Sequence, residues 1–174
     1  MYWKVLNFGN DVKRIKKLYY KALSAIENED FRISEEEYYK DSEHIPCSVP
    51  IMPYENAMEF AVEDYLLFKY NLLSMTLIQI YSTWDQQKED YQKVTGYKIK
   101  RPTLIEELRL VNNVLKHGKD GSSGENLYKD YPEYFYKTQE SRINLYTTLN
   151  ISSEKVTVFT DAIVSFWGAI IEKG

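Results

Sequence analysis

Arg109, Asn113 and His117 recur at i, i+4 and i+8 along one helical stretch. That spacing puts them on one line of a helix with Glu106, within about 80 degrees of each other. Their types suit contact with a phosphate-bearing ligand. Histidine exchanges a proton near neutral pH, and arginine brings a permanent positive charge to a developing oxyanion. His117 stands just before Gly118, where the negative end of the helix dipole favours its protonated form. Lys116 and Lys119 beside it oppose that. The run Gly118-Lys-Asp-Gly-Ser-Ser-Gly that follows could turn backbone N–H groups towards an anion. A phosphate-bearing ligand near His117 is therefore chemically reasonable, with Asn112, Asn113, Lys116, Ser122 and Ser123 as the candidate binding residues. The same residues also suit an ordinary helix end, because Lys and His are common in a last turn.

Other chemistry is sparse. The chain has two histidines and one cysteine, so an internal disulfide and a four-cysteine zinc site are excluded. His44-Ile-Pro-Cys47 would need carboxylates to complete a metal shell. No metal and no cofactor are expected. No phosphate-binding GxxxxGK[ST] loop, GxGxxG, HExxH or GxSxG occurs. Glu35, Glu36 and Glu37 read as an acidic helix start rather than a catalytic pair. Tyr128, Tyr131, Tyr134 and Tyr136 cluster with Phe135 behind the glycine-rich run. Tyrosines there can fill an irregular core while keeping a wet hydroxyl; base stacking would need a basic groove, and only Lys129 and Lys137 are near.

The elements that position these residues read as helices. Asn10 and Asp11 are expected to cap a helix over 12–28, with Ile15, Leu18, Tyr19, Leu23 and Ile26 on one side. Ser34-Glu-Glu-Glu opens a short helix, and Pro46, Pro50 and Pro53 make 41–53 a loop. Residues 54–93 contain neither Pro nor Gly, and apolar residues between Tyr65 and Tyr81 cover nearly every side of the wheel, as in a central helix. Forty residues would span about 60 Å, so a break is expected near Ser82–Asp85. Pro102 and Gly118 bracket the next helix. Residues 118–124 are read as a flexible loop, and the weak alternation over 142–151 suits an extended segment. Ser152-Ser153 opens a final helix to Glu172, with Val156, Phe159, Ile163, Phe166, Trp167 and Ile170 inward. The sum is an all-α bundle of four to six helices in one domain over 1–174. Within 104–118, Leu104, Leu108, Val111 and Leu115 form the expected core stripe. Leu110 and Val114 flank the polar line, and a homodimer through this helix would account for them.

Composition narrows the function classes. Of 174 residues, 44% are hydrophobic and 28% charged, and the net charge is -4. These values fit a folded globular chain and exclude a generally basic nucleic-acid surface, leaving room only for a local one. There is no signal-like start and no run of about 20 apolar residues, so no membrane association and a cytoplasmic location are expected.

Leu108-Arg-Leu-Val-Asn-Asn-Val-Leu-Lys-His-Gly with Gly121-Ser-Ser resembles the motif helix of HEPN-type domains, small helical bundles of prokaryotic toxin–antitoxin and antiviral defence systems. Pro132-Glu-Tyr-Phe, the Ile151-Ser-Ser opening and Phe166-Trp167 are similar to the tail of such proteins, so the resemblance covers 104–172. It implies a homodimer that pairs Arg, a polar residue and His across its axis to cleave RNA without metal. His117 and Asn113 match the His and polar positions. The Arg position is Asn112, and Arg109 is one residue too far from His117 for the pattern. The resemblance thus implies an RNA-related protein that is non-catalytic, or an endoribonuclease whose candidate catalytic residues are Arg109 and His117 in a variant site, with RNA and a cognate protein as partners. The alternative is a helical protein–protein interaction module with no nucleic-acid role.

Overall fold

The computed structural model describes residues 2–29, 32–44, 46, 50–137 and 147–172, without the side chains of 2–6. The described residues form six α-helices and no strand. They are α1 (Tyr2–Asn28), α2 (Glu35–Ser42), α3 (Tyr54–Thr95), α4 (Thr103–His117), α5 (Ser122–Asp130) and α6 (Glu154–Glu172), with a 3-10 turn at Pro132–Tyr134. No helix among them is long and apolar enough to cross a membrane.

α1 and α6 pack along each other and both pack on α3. Phe8 of α1 meets Trp167 of α6 edge-on at 4.8 Å. Beneath them the buried Gln87 of α3 donates from Nε2 to the Phe8 carbonyl at 3.0 Å. Its Oε1 accepts from Trp167 Nε1 at 3.1 Å. One amide thus satisfies polar groups of three helices in the core, where an unmade bond costs about 1–3 kcal/mol. α1 starts ten residues before the expected Val12, so Asn10 and Asp11 lie inside it and cap nothing. Helical periodicity here begins before the strongest cap signal.

α2 forms where the sequence places it. Ser34 Oγ accepts from the Glu37 backbone N–H, and Glu37 returns a bond to the Ser34 N–H at 3.0 Å, a capping box. Those bonds hold the Glu37 carboxyl below its ordinary pKa.

α3 runs unbroken for 42 residues, so the expected break near Ser82–Asp85 does not occur. Among the described residues its buried positions lie between Leu73 and Gln87, and a straight helix accommodates them. Lys69 pairs with Glu27, in the last turn of α1, at 2.6 Å. The fifteen residues before Lys69 in α3 therefore extend about 22 Å past that pair. The expected extension around 142–151 falls partly outside the described residues; 147–151 carries bends and no strand.

Candidate functional site

α4 begins at Thr103, behind Pro102, and ends at Gly118, whose N–H reaches the Val114 carbonyl at 2.8 Å. Gly118 has φ +84, a conformation that a side chain would strain. Three elements pack on α4: α3, α5 and α6. Ile105, Glu107, Leu108, Leu110, Val111, Asn112 and Val114 are all buried. On the wheel these cover about 220 degrees, from Leu110 round to Ile105. The two apolar stripes expected from the sequence are thus one broad buried face. Leu110 and Val114 belong to the chain's own core, which corrects their reading as an outer patch. Leu104 is 41% exposed, because it lies in the first turn, outside the reach of those neighbours. The open edge of α4 carries Glu106, Arg109, Asn113, Lys116 and His117, with Lys116 and His117 exposed.

The structure brings part of the candidate set together. Asn112 Nδ2 donates to Asn113 Oδ1 at 3.1 Å, and Asn113 Nδ2 donates to Ser123 Oγ at 3.2 Å. This chain of amides ties the last turns of α4 to the first turn of α5. The buried Asn112 Oδ1 accepts no hydrogen bond from the described residues. The expected loop over 118–124 is shorter: α5 already begins at Ser122, capped by no side chain at Gly121. Its tight approach depends on Gly124, where a Cβ would fall 2.0 Å from the Lys119 carbonyl oxygen. Lys116, His117, Lys119 and Ser122 all lie exposed around this uncapped helix start. Free N–H groups and cations suit an anion there, and Asp120 in the same loop opposes it.

Arg109 is not free to join them. Its Nε and Nη2 both donate to Glu106 Oε1, at 2.8 and 2.6 Å. Glu106 also lies 3.5 Å from Arg101. The Glu106 hydrogen bonds hold the Arg109 guanidinium above its ordinary pKa. Eight residues along the helix put Arg109 about 12 Å from His117 along the axis. One protomer therefore does not place both on one phosphate.

A second polar cluster escaped sequence reasoning. Glu107 is 4% exposed and accepts from Tyr134 Oη and, at 2.7 Å, from Lys155 Nζ. Lys155 also lies over the Tyr134 ring at 4.8 Å. Burial, with Glu107 beside it, pushes the Tyr134 phenol far above its ordinary pKa. These three residues join α4, the 3-10 turn and α6. Glu107 and Lys155 are 48 positions apart, so no local spacing announces the pair. The same contact answers part of the tyrosine question: Tyr134 is core, Tyr136 donates to the Leu149 carbonyl, and Tyr128 stays 62% exposed against Phe135.

A cavity of about 260 Å³ lies between α1 and α3, walled by Tyr19, Leu23, Leu66, Lys69, Tyr70 and Tyr136 among others. None of its lining residues comes from α4. Among the described residues no cluster of three or more His, Cys, Asp or Glu could hold a metal ion; Cys47 lies outside them. The chain matches no family model, no curated protein and no solved structure.

Proposed function

We propose that this chain is a HEPN-like helical protein of prokaryotic defence or toxin–antitoxin type, cytoplasmic, that binds RNA phosphate at the α4–α5 corner and has little or no nuclease activity. The observation that carries this reading is the split of the candidate set. His117, Lys116 and Lys119 stand in solvent around the uncapped start of α5, while Arg109 is spent on Glu106. The corner thus has groups to hold a phosphate and no unpaired guanidinium to stabilise a phosphorane. A homodimer through α4 would use its open polar edge, since Leu110 and Val114 are already buried.

The test is a single-stranded RNA of mixed sequence, with purified protein in chelator. Binding that weakens at least fivefold in Lys116→Ala/Lys119→Ala, with no cleavage, supports the reading. Metal-independent cleavage lost in both His117→Ala and Arg109→Ala would establish the nuclease instead. Absence of binding at low salt would leave the second reading, an interaction module without a nucleic-acid role. The exposed apolar surface of α2 and α3 favours that alternative.

A further inference from the structure

Apolar side chains are not scattered evenly over the exposed surface. Of fifteen large hydrophobics that stand exposed among the described residues, eight fall between Ile33 and Phe68. Single exposed hydrophobics are ordinary, but a concentrated patch marks a contact. Charge is divided in the same place. Residues 32–64 hold nine carboxylates and two cations, whereas the rest of the chain holds twenty cations and seventeen carboxylates. The segment is therefore rich in exposed apolar and acidic side chains, of which Val62, Leu66, Glu59 and Glu55 share one side of α3.

The geometry of α3 organises it. Glu55, Glu59, Val62, Leu66, Lys69, Leu73 and Leu77 follow one another at steps of three and four, so they form one line along the helix. Leu73 and Leu77 are buried, and the line continues out of the bundle past the Lys69–Glu27 pair. Beyond that pair Val62 is 41% and Leu66 39% exposed, followed by the exposed Glu59 and Glu55. The line thus runs on for about 22 Å past the Lys69–Glu27 pair, with Leu66 still on the wall of the cavity it shares with Tyr19 and Leu23 of α1. α2 fixes the far end. Tyr54 Oη donates to the Ile33 carbonyl at 2.8 Å, Tyr38 Oη to the Met52 carbonyl at 2.9 Å, and the Tyr39 hydroxyl accepts from the Tyr54 N–H. Ile33, Met52 and Ile51, each at least 40% exposed, are held beside the start of α3.

We propose that this overhang of α3, with α2, is a docking surface for a basic amphipathic helix of a partner protein. An α-helix of about fifteen residues would match the 22 Å of overhang. Its apolar positions would cover Val62 and Leu66, and Lys or Arg at one end would face Glu59 and Glu55. The sign of the partner follows from charge complementarity, which steers such encounters. The chain's own α1 presents a basic outer face, Arg14, Lys17 and Lys21, and among its described side chains the exposed large hydrophobics are Leu18 and Tyr20. A second copy therefore matches the charge and not the apolar area.

The test uses the full chain and a labelled fourteen-residue Leu/Lys amphipathic model helix, with a Leu/Glu peptide of the same pattern as control. The Leu/Lys peptide should bind one to one at micromolar concentration, and the control should not. Val62→Asp/Leu66→Asp should weaken binding at least tenfold. That variant adds two negative charges, so mere attraction between opposite charges would strengthen it. Glu55→Lys/Glu59→Lys, on exposed side chains alone, should weaken binding about as much without affecting the melting temperature. Equal binding to the Asp variant, equal binding of both peptides, or none at 100 micromolar overturns the proposal. Self-association of the wild type that the Asp variant abolishes also overturns it, assigning the face to a second copy.

Discussion

Glu107 and His117 stand ten residues apart on α4 and have opposite fates. Glu107 faces inward and spends its carboxylate on Tyr134 and Lys155. His117 ends the helix in solvent, beside Lys116 and the glycine turn. A buried carboxylate must be paired, because a lone charge in the interior costs several kcal/mol. An exposed imidazole has no such obligation and stays available to a ligand. Titratable groups on the same helix thus divide into those that hold the fold and those that can act, and burial draws the line. Arg109 is intermediate. It lies on the open edge, yet Glu106 takes two of its donors, and such a half-exposed pair is worth only about 0–1 kcal/mol. A phosphate could displace Glu106, whereas nothing displaces Glu107 cheaply.

The inward half of this comparison breaks with the largest effects. Val114 is fully buried, so Val114→Arg forces an unpaired charge into the core. The loss should exceed about 4 kcal/mol and appear as an unfolded chain by circular dichroism, rather than as a folded monomer. Glu107→Ala comes next. Removing one partner of a buried pair costs about 3–5 kcal/mol, but the Lys155 side chain is 27% exposed and can reach water. The lower end, about 3 kcal/mol by urea unfolding, is expected.

Tyr134 sharpens the same contrast through pH. Burial raises its phenol above the ordinary value, so the folded chain keeps a proton that the unfolded chain loses. Stability is then unaffected below the unfolded pKa and falls as pH rises past about 10. Tyr19 and Tyr81, also raised by burial, add to that slope. Tyr134→Phe should flatten it between pH 9 and 11 while lowering stability near neutrality by about 1 kcal/mol, for the lost hydrogen bond to Glu107.

Local signals made much of this legible. Pro102 and Gly118 bound α4, Ser34 and Glu37 announce α2, and the absence of Pro and Gly over 54–95 marks α3. What was hidden is tertiary. A wheel assigns Leu104 and Leu108 to one stripe, but only packing by α3, α5 and α6 decides that Leu108 is buried and Leu104 is not. Glycine and serine over 118–124 suggest a loop, while Gly124 is needed for the close approach of α5 to Lys119. The length of α3 suggested a break, because an overhang has no sequence signature distinct from a buried helix. Of the candidate residues, spacing found the open edge of α4, and it could not show that Arg109 is paired or that Asn112 is buried.

The smallest expected effect is the most informative about the outer half. His117 is exposed and makes no core contact, so His117→Ala should change stability by no more than about 0.5 kcal/mol. The urea midpoint at pH 7 should therefore match the wild type, in contrast to the shift in Glu107→Ala. On the proposed reading, the same substitution should still weaken single-stranded RNA binding, because it removes a hydrogen-bonding ring from the exposed corner. A stability loss above 1 kcal/mol would make His117 a structural residue. An RNA affinity that is indifferent to His117→Ala would remove the histidine from the corner and leave Lys116 and Lys119 to carry it.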